Sequence, residues 1–159
     1  MHTTPLRVTI LRGISGSGKT TWANTHKEEA LILSTDKYFE QSGTYTFDGA
    51  KLQDYHRQTF REYMEAILRR EPWIIVDNTN IKLWEFVPYV AAAEVYGYTV
   101  EILTFSCSVA TSLQRKQLLA EWKLQQKARD LEEETKRFPR SIAEIHTVLD
   151  CETNAPLSR

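Results

Sequence analysis

Apolar positions along the chain follow two rhythms. Compact runs at Val8–Leu11, Ala30–Leu33 and Trp73–Val76 stop at glycine or at polar turn formers and read as buried strands, while Tyr98–Phe105 alternates as a fourth strand. Between them the spacing turns helical. Lys19 to about Glu29 contains neither Pro nor Gly and predicts a first helix, and a turn-rich stretch follows from Gln41 to Gly49. Across Ala50–Arg70, residues Leu52, Tyr55, Phe60, Tyr63, Met64, Ile67 and Leu68 fall on one helical face. A third helix spans roughly Leu83–Tyr96, bent or started near Pro88 and stopped by Gly97. From Ser108 to about Arg137 the sequence is almost uninterrupted helix former, and a short final helix is expected from Ser141 to Leu149. Strands that alternate with helices through connections too long for hairpins imply right-handed crossovers and a mainly parallel sheet, an α/β fold.

With 159 residues and neither a repeat nor a linker, residues 1–159 are expected to form one domain, with a helical lid and C-terminal segment at about 108–159. Hydrophobic residues at 42% and charged residues at 26% exclude a disordered chain. No apolar run approaches the ~20 residues that cross a bilayer, and the start lacks a signal-peptide pattern, so no membrane partner is expected. Cys107 and Cys151 lack metal-ligand spacing and form a poor disulfide framework, which favours a reducing cytoplasm. The net charge of −1 gives no global attraction to phosphate polymers, so a nucleic-acid contact would need a local basic patch.

The segment Gly13-Ile14-Ser15-Gly16-Ser17-Gly18-Lys19-Thr20, continued by Thr21, has the Walker A spacing and lies between a predicted strand and a predicted helix. Glycines let backbone N–H groups close on phosphate oxygens, and the helix that follows adds its unpaired N–H groups. Lys19 is placed to reach the β and γ phosphates, and the Thr20 hydroxyl suits Mg²⁺. Residues 13–21 are thus the expected site for ATP or another NTP.

Ligands of open parallel sheets bind at the carboxyl ends of strands, where Asp36 and Asp77 fall. Asp77, after Trp73-Ile74-Ile75-Val76, reads as a Walker B carboxylate for the magnesium site, or as a turn or cap residue. Asp36 reads as the general base that takes a proton from an acceptor hydroxyl, or as a helix cap in a surface turn.

On the residues RGISGSGKTTWA, STDKYF and IIVDNTN, the chain resembles the polynucleotide-kinase-like branch of P-loop phosphotransferases, with the kinase domains of phage and eukaryotic 5′-hydroxyl polynucleotide kinases and relatives known only as AAA-type ATP-binding proteins. The resemblance implies a three-layer P-loop NTPase fold and a catalytic pair, Lys19 and Asp36. It also implies an Asp-x-Thr-Asn element at Asp77-Asn78-Thr79-Asn80. A Gly-x-Tyr-x-Phe-Asp turn at Gly43–Asp48, followed by Leu52 and His56 on a helix, is similar to the ATP-binding relatives. Where phage enzymes carry an Arg that holds the acceptor phosphate, this chain has Phe39. The family's lid arginine falls after Phe105, with Arg115 and Arg129 as candidates and Arg137 a further one.

Candidate acceptor contacts are Tyr38 and Phe39, with Tyr45 and Phe47 as further stacking platforms, and the same four rings could equally pack the turn. Arg57, beside His56 and Arg61, either faces an acceptor phosphate or lies on a solvated helix face; Asn78 and Thr79 either touch acceptor or cap a turn. Leu113, Leu118, Leu119, Trp122 and Leu124 form an apolar stripe that either packs on the core or joins copies of the chain through 108–137. The expected function is an ATP- and Mg²⁺-dependent kinase acting on the 5′-hydroxyl of RNA or DNA. The alternatives are a kinase of a nucleoside or other metabolite, and a nucleotide-switched ATPase or binding module.

Overall fold

The computed structural model describes residues 4–40, 43–116 and 119–157. Leu118 of the apolar stripe and Gln41 of the turn segment lie outside them. Five strands, β1 (Arg7–Arg12), β2 (Leu31–Leu33), β3 (Trp73–Asp77), β4 (Thr99–Ser106) and β5 (His146–Asp150), form an all-parallel sheet in the order β2-β3-β1-β4-β5. Connections leave β1 toward one edge and β3 toward the other. Their carboxyl ends therefore diverge and open a crevice between neighbouring strands.

Strand alternation makes the two sheet faces. Val8, Ile10, Ile74, Val76, Val100 and Ile102 point to one side, where α2 (Leu52–Leu68) and α3 (Leu83–Val95) cover them with Tyr63, Ile67, Phe86 and Val90. Leu11, Ile75, Leu103 and Phe105 point to the other, beneath Trp22 and Ala23 of α1 (Lys19–Asn24). The architecture is an α/β sandwich of three layers. Its strands are near-continuous apolar runs because both faces are covered.

Three expectations change. The first helix ends at Asn24, five residues earlier than its composition suggests. There the Thr25 hydroxyl bonds the Trp22 carbonyl at 2.6 Å, and the N–H groups of His26 and Glu29 bond carbonyls three residues back. That pattern is a run of tight turns rather than a helix.

The long helix of the lid segment is instead two: α4 (Val109–Arg115) and α5 (Glu121–Lys136). Lys116 and Ala120 are both extended, so the path between the helices cannot stay helical. Along the stripe, Leu124 is fully buried and Trp122 is 66% exposed, so one edge of it packs on the core and another does not.

The final helix expected over 141–149 is replaced by a short α6 (Arg140–Ala143) and by β5. The pairing His146 to Ile102 through Asp150 to Ser106 sets β5 beside β4, so the segment is not wholly helical but completes the sheet. The chain then folds back over this edge, with Leu157 N–H donating to Val148 O at 2.7 Å and Asp150 N–H to Ala155 O at 2.9 Å. Among the described residues no helix is long and apolar enough to cross a membrane.

Candidate functional site

The glycine loop 13–18 runs from the end of β1 into α1. Gly16 and Gly18 have φ of 81° and 94°, in the left-handed region that glycine enters without cost. A Cβ on Gly16 would stand 2.8 Å from Ser112 O, so α4 packs directly on the loop. Ser112, fully buried, also donates its hydroxyl to Ser15 O. From the other side, the Gly13 N–H donates to Thr79 O at 3.0 Å. The loop is therefore held by both the segment after β3 and α4.

Lys19 lies within this wrap, 8% exposed, with its ammonium donating to Gly13 O and Ile14 O at 2.9 Å each. Burial brings its pKa from 10.5 down to about 8, against the pull of Asp77 and Asp36. Thr20 donates its hydroxyl to Asp77 Oδ2 at 2.8 Å. Burial pushes the Asp77 carboxyl up, and the Thr20 bond and Lys19 oppose that shift. A hydroxyl and a carboxylate at one point form a hard-oxygen donor pair of the kind Mg²⁺ prefers. A loop of N–H groups with a buried lysine beside them is suited to phosphate. The residues present thus fit a magnesium–nucleotide complex.

These groups border a cleft of about 500 Å³ at the carboxyl ends of the strands. Of the residues singled out in the sequence, Ser15, Gly16, Gly18, Lys19, Thr20, Thr21, Asp36, Asp77, Asn78, Thr79 and Arg115 line it. Gly13, Ile14 and Ser17 complete the loop from behind, buried. Asp36 is exposed in the 3-10 turn Thr35–Glu40, and its charge reaches Lys19 and Asp77. Its turn is anchored to the segment after β3 by Thr35 N–H, which donates to Asn78 Oδ1 at 3.0 Å.

Tyr38, Phe39, Arg57 and Arg129 do not line the cleft, nor do Tyr45, Phe47, Arg61 and Arg137. Phe39 is 5% exposed and packs among Tyr45, Phe47 and Tyr55, so the ring the sequence offers for stacking is turned into the protein. Tyr38 stacks on Tyr55, and burial together with the Glu62 carboxylate pushes its phenol pKa up. Arg57 is exposed and paired with Asp54 on its own helix. Arg129 donates to Gln126 on α5.

Sequence reasoning left out Lys116, Cys151, Glu152 and Asn154, which also line the cleft. The last three follow β5, and the carboxyl-end rule finds them only once residues 146–150 are known to be a strand. Asp150 shapes that turn by accepting from the N–H groups of Glu152 and Thr153, and Cys151 O accepts from Arg115 Nη2 at 3.2 Å. Arg115 thereby bridges the turn to the glycine loop, with Nη1 3.5 Å from Gly16 O.

A second element missing from the sequence reading is Arg12, fully buried at the end of β1. All five of its donors are used: Nε on Asn80 O, Nη1 on the hydroxyls of Thr104 and Thr135, and Nη2 on the carbonyls of Ile81 and Leu131. Its guanidinium also lies over the Phe138 ring, 4.7 Å from the centroid. It joins β1 to the segment after Asp77, to β4 and to α5.

An all-parallel sheet in this strand order, with a phosphate-sized glycine loop at its diverging centre, is the P-loop nucleotide-binding fold in its kinase-like form. Residues 8–141 match the AAA domain family, and the chain belongs to it. Over 98 residues, 60% of this chain, it is 41% identical to NEDD4-binding protein 2 of Homo sapiens, and the match spans 6% of that protein. Its structure is similar to a chain of the Pnkp1/Rnl/Hen1 RNA repair complex, with a TM-score of 0.71 at 16% identity over 87% of this chain and 48% of that one. It is similar also to a gluconokinase from Sinorhizobium meliloti 1021, with a TM-score of 0.59 at 16% identity over 96% of this chain and 86% of that one. The chain therefore spans a small part of the human relative and about half of the repair-complex chain.

Proposed function

We propose that the protein is an ATP- and Mg²⁺-dependent phosphotransferase that phosphorylates the 5′-hydroxyl of an RNA or DNA end. The observation that carries this reading is Asp36, a carboxylate exposed in the same cleft as the glycine loop and the Thr20–Asp77 pair. A hydrolase would need a residue that positions water. A kinase needs a base open to an acceptor alcohol, and Asp36 meets that need.

In this reading the loop 13–18 and Thr21 hold the phosphates through N–H groups, and the Lys19 ammonium moves from the loop carbonyls onto phosphate oxygens. Thr20 and Asp77 would hold magnesium, which when bound would offset charge on the phosphates. Asp36 accepts the proton of the acceptor hydroxyl and aims its oxygen at the γ-phosphorus. Asn78 holds the Asp36 turn in register, and Thr79 ties the loop to the segment after β3. Support for a nucleic-acid acceptor comes from the likeness to the RNA repair complex and from the sequence resemblance.

A second reading, a kinase of a small hydroxylated metabolite, is favoured by one observation. Lys37 of the Asp36 turn is engaged with Glu62 and Arg57 of α2 with Asp54, so neither is a ready phosphate contact. Transfer of labelled γ-phosphate to 5′-hydroxyl oligonucleotides, nucleosides and sugars, with Asp36→Asn alongside, tests both. Label on the oligonucleotide end, lost in the variant while nucleotide still binds, is the expected result. Label only on small acceptors favours the second reading, and phosphate release without any acceptor overturns both.

A further inference from the structure

His56 takes no part in the mechanism above, yet it sits behind the residue that carries it. Thr35 immediately precedes Asp36 and is 3% exposed, whereas Asp36 itself is exposed. Four hydrogen bonds meet at the Thr35–Thr59 pair. The Thr35 N–H reaches Asn78 Oδ1, and the Thr35 hydroxyl lies 2.9 Å from Thr59 Oγ1 and 3.3 Å from His56 Nδ1. Thr59 in turn donates its hydroxyl to Tyr55 O at 2.9 Å.

When the Thr59–Tyr55, Thr35–Thr59 and Thr35–His56 bonds are all made at once, counting protons fixes each direction. Thr59 has one hydroxyl proton, and it lies on a carbonyl, which can only accept. In the Thr35–Thr59 bond, Thr35 is therefore the donor. That uses the only proton on the Thr35 hydroxyl, so the bond to His56 must be donated by the imidazole. The ring consequently carries its proton on Nδ1 and leaves the Nε2 lone pair free of a proton when neutral. Burial lowers the His56 pKa against the opposing charges of Glu85 on α3 and Asp36, which keeps the ring neutral near physiological pH.

We propose that His56 is a positioning residue for Asp36: its Nδ1–H, donated to Thr35, orders a hydroxyl chain from α2 that holds the backbone on which the Asp36 carboxylate stands. This rests on Asp36 being the base. His56 and Asp36 are 20 positions apart in sequence, and α2 carries His56, Thr59 and Tyr55 within one turn of each other. A small tilt of α2 would thus alter where Asp36 points, and displacements of an ångström at a reacting group cost large factors in rate.

Two measurements decide it. Nitrogen-15 NMR of the histidine rings, with His56→Asn used to assign the signals, reads which ring nitrogen holds the proton without requiring any activity. Proton on Nδ1 is expected; proton on Nε2 in the neutral ring overturns the chain of donors. Kinetics then compare His56→Asn, whose amide nitrogen occupies the Nδ1 position, with His56→Gln, whose amide reaches the Nε2 position instead. His56→Gln is expected to lower kcat about 10- to 100-fold with KM for ATP unchanged, and His56→Asn to recover most of that loss. Thr35→Val should resemble the Gln variant, and Thr35→Ser the Asn variant. Equal kcat in the Asn and Gln variants, or loss that tracks melting temperature, overturns the proposal while leaving phosphotransfer intact. Absence of transfer by the unsubstituted protein overturns instead the reading of Asp36 as base, and with it the positioning role, whatever the ring tautomer.

Discussion

Thr20 and Asp77 stand 57 residues apart in the chain and meet through a hydrogen bond of 2.8 Å at the mouth of the cleft. The contact joins the start of α1 to the end of β3 with a carboxylate that folding has buried to 4% exposure. Because the folded pKa of Asp77 is raised, its protonated form is the one that folding favours. The associated stability is present below the unfolded carboxylate pKa and is lost as pH rises through the folded value, so at neutral pH the ionised group is a net cost. Asp77→Asn keeps an acceptor for Thr20 and removes the charge. Ligand-free Asp77→Asn should therefore melt higher than the parent at neutral pH, and the further rise in Tm that magnesium and ATP give the parent should be lost. Thermal melts of both proteins with and without magnesium–ATP check the two halves of this expectation separately.

The buried ammonium of Lys19 gives the site a pH dependence of definite sign. With its pKa brought down to about 8, the side chain is charged below that pH and loses its proton above it. Phosphate oxygens favour the charged form, so binding above about pH 8 must take up a proton, and affinity falls there by up to ~10-fold per pH unit. Calorimetric titration with a non-hydrolysable ATP analogue, repeated in buffers of different ionisation enthalpy, should show that uptake. Flat affinity from about pH 7 to about pH 9.5 would contradict it.

What could be read from the sequence depended on whether a signal was local. The buried strands β1 and β3, and α2 with its apolar face, follow from runs and periodicity of a few residues, and the glycine loop from spacing alone. Ile145 to Leu149 is too short a run to separate strand from helix, and its pairing with β4 is decided by a partner 44 residues away in register. With β5 unseen, Cys151, Glu152 and Asn154 could not be placed at the cleft. The inward turn of Phe39 has the same origin, since its partners Tyr45, Phe47 and Tyr55 come from a later turn and helix. Arg12 was hidden for a stronger reason. A charged residue closing a strand is ordinarily exposed, and its acceptors come from three distant segments.

Arg12 should be the most destabilising single position among the polar residues discussed. Burial brings its pKa down to about 10, with Glu134 and Glu85 opposing the shift, so it remains charged at neutral pH. Arg12→Met would remove the donor from the carbonyls of Asn80 and Ile81, while Leu131 O keeps the Thr135 hydroxyl. Buried acceptors stranded in this way cost about 1–3 kcal/mol each before relaxation, and a net loss of about 2–4 kcal/mol is expected in urea denaturation. Lysine cannot restore it, because three donors at one point do not match acceptors spread around a planar fork. Hydrogen exchange should locate the loosening at 80–81 and at 131–135.

Arg115 and Lys116 are adjacent in sequence but should fail in different ways. The Arg115 guanidinium is held between Gly16 O and Cys151 O, which makes it a brace between the glycine loop and the turn after β5. Lys116 also lines the cleft, where its charge lowers the pKa values of both Lys19 and Asp77. In the proposed phosphotransfer, a cation so placed would stabilise charge that develops on the phosphates. Lys116→Ala is expected to lower kcat on the order of 100-fold with a smaller change in nucleotide affinity. Arg115→Ala is expected to raise the Kd for ATP and leave more of kcat. The pH titration distinguishes them further. Removing the Lys116 charge lets the Lys19 pKa rise, so the alkaline loss of nucleotide affinity should move to higher pH in Lys116→Ala. Fluorescent-nucleotide binding across that pH range, run on both variants and the parent, gives the comparison. An alkaline limb that stays in place in Lys116→Ala would separate Lys116 from the phosphate site.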